Sequence, residues 1–186
     1  DTDDTADSTD TDDTADTTDT DDAPRVEAFA RVIPGDRLVR LELDFAPGVW
    51  AALLADWQQR QEKNEYPAAM RHDDDTFAAV GVRLKGLNSL RIPSDGTPDP
   101  AGRYPLKIDF DSQGGERFHG VDELALNACT NDPSRLRDPL TAAMYNAMGV
   151  DAAHMGFAEV AIDGAEVGPY VLAQVIEGGE NAVVLE

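Results

Sequence analysis

The stretch LVRLELDFAPGVWAALLADW (38–57) changes period halfway along. Leu38–Asp44 alternates apolar and polar residues, the pattern of a half-buried strand. Pro47 and Gly48 then open a helix, in which Trp50, Leu53, Leu54 and Trp57 fall at i, i+3, i+4 and i+7. That stripe faces a core, and its two tryptophans read as packing rather than as a ligand cage. Charged and amide residues from Arg60 to Glu65 lead out of the helix. Tyr66-Pro67 then predicts an extended or turn segment, because a proline disfavours helix at the residue before it.

Outward from this unit, Phe77–Lys85 (FAAVGVRLK) reads as a strand and Ile92–Gly102 as a loop rich in turn residues. Tyr104–Asp111 (YPLKIDFD) is another strand, with Leu106, Ile108 and Phe110 on one face and Lys107, Asp109 and Asp111 on the other. QGGE (113–116) is a turn, and Asp122–Ala128 a further short strand. Asp132-Pro133 carries a helix-start signal, and Leu136, Leu140, Met144 and Ala147 continue a helical face that Gly149 can end. Pro139 interrupts it: either the helix kinks there, or it restarts with Asp138 as the cap. Phe157–Ile162 and Val167–Ile176 are strands joined across Asp163-Gly164, a hairpin dipeptide. The order predicts an α+β fold, a mostly antiparallel sheet with two packed helices.

The chain has 186 residues and a net charge of −22, and its acidity is uneven. Residues 1–22 hold eleven Asp, eight Thr, two Ala and one Ser, and so carry half of that charge. Asp1–Thr9 (DTDDTADST) is nearly repeated as Asp10–Thr18 (DTDDTADTT). Without aromatic, branched aliphatic or glycine residues, this leader has nothing to offset chain entropy, so residues 1–25 are expected to be a disordered acidic spacer. Calcium-binding nonapeptide rolls need glycine turns and an apolar residue per copy, and neither is present. The field of the whole chain repels nucleic-acid phosphates and anionic lipid head groups, which argues against nonspecific binding to either.

The single Cys129 rules out an intrachain disulfide framework. No apolar run approaches the roughly 18 residues of a membrane span. The lack of an initiator Met leads us to expect a processed or cut chain. An acidic, Thr-rich leader suits an exported protein with a lipid anchor ahead of it, so an extracytoplasmic, secreted or surface-anchored location is expected.

No P-loop, GxSxG or HExxH pattern occurs, and His72, His119 and His154 are far apart. Asp73-Asp74-Asp75 reads as an exposed turn. Asp109 and Asp111 share a strand face that can approach a cation, although a merely solvated face is the favoured reading. Lys107, beside them, suits either a salt bridge or a phosphate. Arg83, Lys85 and Arg91 form a second basic cluster, around a Gly86-Leu87-Asn88-Ser89 segment that reads equally as a turn and as a phosphate cradle.

Taken in order, LELDFAPGVWAALLADW (41–57), VGVRLKG (80–86), NSLR (88–91), YPLKIDFD (104–111), RFHGVDELALNA (117–128), NDPSRLRDPLTAAMYNAMGV (131–150) and FAEVAIDGAEVGPYVLAQVI (157–176) resemble the CotH kinase-like family. The resemblance implies an atypical protein kinase whose N-terminal lobe region is residues 26–186, with the C-terminal lobe absent. It implies ATP and Mg or Mn as cofactors, and Ser or Thr of cell-surface or coat proteins as substrates. By position, Lys107, Lys85, Arg137 and Tyr170 become candidate nucleotide contacts, with Lys107 expected on the concave side of the sheet and Tyr170 placed to stack an adenine. Asn127, Asp132 and Ser134 match the same family motif.

Some positions depart from the family pattern. Leu87 is extra in the turn, and Gln174 stands where relatives commonly carry glutamate. Asp138-Pro139 replaces a Glu-Lys-like pair, which weakens the expectation of a lysine–glutamate ion pair. The acidic metal ligands of the family are expected downstream, so this chain alone is expected to lack kinase activity. Two other readings stand beside this one. In one, a noncatalytic surface or coat protein keeps the fold; in the other, the acidic leader binds calcium or mineral.

Overall fold

The computed structural model describes residues 22–86, 90 and 102–175, with side chains from residue 27 onward. The acidic repeats, the 87–89 turn and nearly all of the predicted 92–102 loop lie outside the described residues. Ten elements follow in order: α1 (Asp22–Val32), β1 (Leu38–Phe45), α2 (Val49–Arg60), β2 (Tyr66–His72), β3 (Asp75–Leu84), β4 (Leu106–Asp109), β5 (Glu123–Asn127), α3 (Arg137–Ala147), β6 (Met155–Ile162) and β7 (Ala165–Gln174).

The strands close into a barrel in the order β1-β2-β3-β4-β5-β7-β6. The closing junction is parallel and places Leu38–Leu43 opposite Phe157–Ile162, while the other junctions are antiparallel. This corrects the fold expected from the sequence. The protein is a closed, mixed, seven-stranded barrel with short helices, not an open α+β sheet in the manner of a kinase lobe. Alternation reveals that a segment is a strand, but not its partner, and the closing pair joins segments more than a hundred residues apart. Tyr66-Pro67 takes the extended of its two expected forms and starts β2. Pro67 lies opposite Gly81 in the β2–β3 ladder.

The barrel interior is built from alternate strand positions. Leu84, Leu106, Leu126 and Leu172 stand side by side on four neighbouring strands, each with at most 1% exposure. Full burial of such a side chain is worth roughly 1.5–3 kcal/mol. The β6–β7 hairpin turns at Asp163 and Gly164, both at positive φ (50° and 75°), as a two-residue hairpin requires. Asp163 also binds the new seam, its carboxylate accepting from the Phe45 amide at 2.7 Å.

Helices close the two ends. The predicted stripe of α2, Trp50, Leu53, Leu54 and Trp57, is buried, and Trp50 stacks on Phe45 where β1 finishes. At the opposite end Phe29, Val32 and Ile33, at the C-terminus of α1, enter the core. Gly156 leaves room for them: a Cβ there would lie 2.7 Å from Ile33 and 2.9 Å from the Pro34 carbonyl oxygen. Two histidines hold the plug. His72 Nε2–H donates to the Val32 carbonyl and His154 Nε2–H to the Ile33 carbonyl, each at 2.8 Å.

α3 restarts after the Asp-Pro turn, with Pro139 in its first turn and Leu136 rather than Asp138 as its cap. Gly149 follows at φ 75°, as expected for a left-handed helix end. The predicted helical face is turned to solvent: Leu136, Leu140 and Met144 are 47%, 58% and 63% exposed, and Ala142 is the buried residue of the helix.

His72 generates a pH prediction. Its ring is buried against Phe118, and burial pushes its pKa below the usual 6.5, against the opposing pull of the Val32 carbonyl, Asp73 and Asp75. The unfolded chain therefore takes up a proton that the folded chain refuses. Stability present above pH 6.5 is lost as pH falls below it. Urea titrations at pH 7.5, 6.5 and 5.5 (about the range between histidine and carboxylate titration) should show this decline. His72→Leu should flatten it, while costing about 1–3 kcal/mol at every pH because the Val32 carbonyl loses its donor.

Candidate functional site

A closed barrel with a packed interior leaves its outer wall and its ends for chemistry. On β3, β4 and β5 the register puts Arg83, Lys107 and Ala125 in one row, facing away from the leucine layer. Lys107 thus lies on the outer wall of the barrel rather than on the concave side of an open sheet. Lys85, two residues beyond Arg83, and Glu123 and Asn127, two residues to either side of Ala125, share that wall.

The two lysines are met differently. Lys107 is 9% exposed and forms an ion pair with Glu123. Lys85 Nζ donates to Asn127 Oδ1 at 2.7 Å. Burial holds the Lys85 ammonium below its ordinary pKa, and the nearby charges of Lys107 and Arg83 push it the same way, with Asp138 of α3 opposing. The structure therefore joins three of the residues singled out from the sequence, Lys85, Lys107 and Asn127. It adds Glu123, whose position in ELALN (123–127), four residues before Asn127 and so on the same strand face, was the available signal.

The other candidates sit elsewhere. Tyr170 has no exposed surface; its ring lies in the barrel core and its hydroxyl donates to the Tyr104 carbonyl at 3.1 Å. Burial pushes its phenol pKa upward. Asp132 and Ser134 organise the turn before α3. Asp132 accepts from the Ser134 hydroxyl at 2.6 Å and from the Arg137 amide at 3.0 Å, and Ser134 Oγ accepts from the Leu136 amide at 3.2 Å. The Ser134 hydroxyl holds the Asp132 carboxyl below its usual range. The Arg137 side chain lines a shallow groove with Asp138, Thr141, Tyr145 and Met155.

At the α1 end, a cavity of about 530 Å³ is lined by Phe29, Asp109, Asp111, His119, Asp122 and Glu123 among others. Its acids are engaged within the protein: Asp122 pairs with Arg117 at 2.5 Å, Glu123 with Lys107, and Asp109 accepts from the Ser112 amide at 2.9 Å. Among the described residues, no three His, Cys, Asp or Glu side chains converge as metal ligands.

The ion pair on the outer wall carries a stability prediction. Glu123→Ala leaves the Lys107 charge largely buried without its carboxylate and should cost about 3 kcal/mol. Replacing both, as Lys107→Met with Glu123→Leu, should recover most of that loss. Urea unfolding of Lys107→Met, Glu123→Leu and their double variant measures the coupling.

Residues 96–183 match the family model described as CotH kinase protein. The matched span runs from before β4 to beyond β7, so it takes in Lys107, Glu123, Asn127, Arg137 and Tyr170 but not Lys85. No curated protein matches the chain. Over residues 96–183 the chain is CotH kinase-like, as the order of its motifs implies.

Proposed function

We propose that the protein is part of a CotH-like atypical kinase, and that the outer wall of β3–β5 receives the phosphates of ATP. The observation that carries this reading is the pair of lysines on neighbouring strands in a chain of net charge −22. Two ammonium groups are brought together there at the expense of mutual repulsion and partial burial. An anion placed against them relieves both costs, and phosphate oxygens are strong acceptors for such donors.

ATP would supply the transferable phosphoryl group, with Lys85 and Lys107 as phosphate contacts and Arg137 at the start of α3 as a further cation. The buried ring of Tyr170 offers no free face for an adenine, so its part is to shape the wall from behind. Mg or Mn fits less well: the described carboxylates do not converge on one point, and no step is assigned to an ion. By the family likeness the acceptor would be Ser or Thr of a cell-surface or coat protein, outside the cytoplasm.

A noncatalytic surface or coat protein that retained the fold is the second reading, and Gln174 favours it. Its side chain accepts the His154 amide at 3.1 Å and its own amide donates to the His154 carbonyl at 2.9 Å. The position at which relatives commonly carry an acid is thus used structurally here.

Thermal unfolding with and without ATP and Mg²⁺ or Mn²⁺ separates the two. Binding at a hundred times Kd should add about 2.7 kcal/mol and raise Tm by several degrees. An unchanged Tm across millimolar nucleotide with either metal would leave the noncatalytic reading standing.

A further inference from the structure

Of the seven large apolar side chains exposed among the described residues, six lie between Leu136 and Val150. Leu136, Leu140, Met144 and Met148 recur every four residues and form one ridge along α3, with Tyr145 and Val150 beside it. Each of the six is 43% to 63% exposed. Ala142, the buried residue of the helix, falls on the opposite side, so the ridge points away from the barrel. Together the six present on the order of 600 Å² of apolar surface, at the upper end of what a monomer leaves uncovered. A two-fold axis through the patch would bury about 1,200 Å² in all, the low end of specific protein–protein interfaces.

The charges around the ridge suit such a pairing. From Asp132 to Met155 two arginines, Arg135 and Arg137, stand against three aspartates, Asp132, Asp138 and Asp151. The surface is thus nearly neutral in a chain of net charge −22. α3 carries Asp138 in its first turn and no basic residue in its last, so the negative end of its dipole has no cation of its own. Arg137 stands seven residues before Met144, and Asp151 seven residues after it. An antiparallel pair centred on Met144 therefore sets each Arg137 against the partner's Asp151 and the C-terminal end of the partner's helix.

We propose that this face of α3 is where two copies of the chain associate, antiparallel about a two-fold axis at Met144, with Leu140 packed on the partner's Met148. Ridges of four-residue spacing on both helices interdigitate at about −50°, the commonest helix pairing. A lipid surface is the competing occupant of an exposed apolar helix. Helices that lie in that interface are rich in Lys and Arg on their polar face, whereas α3 has Arg137 alone, and the chain's charge repels anionic head groups. The contact leaves the lysines of the β3–β5 wall uncovered and uses Arg137 at its rim, so it does not depend on the nucleotide reading.

The experiment is sedimentation equilibrium of the whole chain from about 1 to 200 μM, in 50 and 500 mM NaCl. A reversible monomer–dimer equilibrium is expected, with Kd on the order of 10 μM. It should tighten several-fold at the higher salt, because the two net charges repel and salt screens them. Leu140→Glu and Met144→Glu change positions that are already more than half exposed. Each should weaken the dimer about tenfold or more, and leave Tm unchanged at 1 μM, where the parent is monomeric too. Arg137→Glu and Asp151→Arg should each weaken it several-fold alone, whereas an equimolar mixture of the two should recover a dimer with one copy of each.

A parent chain that stays monomeric at 200 μM in both salts would overturn the proposal. So would a dimer that Leu140→Glu and Met144→Glu leave intact, or association that continues beyond the dimer. If the parent is monomeric and binds phosphatidylcholine vesicles, and the glutamate variants do not, the occupant is a membrane and the second copy is excluded. Charge variants that fail to recover on mixing would overturn the antiparallel arrangement.

Discussion

The ladder between β1 and β6 is the constraint on which the rest of the structure depends. It pairs the first strand with the sixth, in parallel, and turns a sheet into a barrel. Closure removes the two unpaired edges that an open sheet would have to protect. It also splits every strand into an inner and an outer row. The inner row is filled by Leu, Val, Ile and Tyr170, so no ligand can enter the barrel without unpacking it. Polar side chains are thereby assigned to the wall or the ends, and the Lys85–Lys107 cluster is a product of that assignment.

The local elements were largely legible in the sequence, because they depend on periods of two and 3.6. The Trp50–Trp57 stripe, the YPLKIDFD strand and the Asp163-Gly164 hairpin needed no tertiary information. Closure was not legible, since nothing in Leu38–Leu43 names Phe157–Ile162 as its partner. β2 was hidden by Pro67, a residue unusual in strands. α1 lay behind the acidic leader, and its anchoring depends on His72 and His154, two residues that sequence distance kept apart. The candidate site was legible in its basic members and in Asn127. Lys85 and Lys107 stood out by charge and Asn127 by the family motif, whereas Glu123 became visible only once the β4–β5 register put it beside the lysines.

Charge matching explains why α3 no longer needs to provide a carboxylate for Lys107. The sequence offers Asp138-Pro139 at the start of that helix, and an acid supplied from there was in doubt. The structure finds Glu123 on the adjacent strand instead. A strand-to-strand pair is set by the ladder itself, so it does not depend on how a helix is seated. α3, freed from that role, keeps Asp138 within electrostatic range of Lys85 and turns Leu140 and Met144 outward.

The remaining tension is between a strongly acidic chain and the anionic ligand proposed for it. Half of the net charge lies in residues 1–22, and over long distances it opposes the approach of any phosphate. At physiological ionic strength the Debye length is about 8 Å, so charges separated from the barrel wall by more solvent than that are felt there weakly. Contacts within a half-buried patch are screened far less. Local charge therefore governs short-range affinity, and distant charge chiefly affects the rate of encounter. A neutral amide beside Lys85 matters under these conditions. Lys85 is held by the neutral carboxamide of Asn127, and no ion pair is seen for it among the described residues, so its charge can attract an anion at short range.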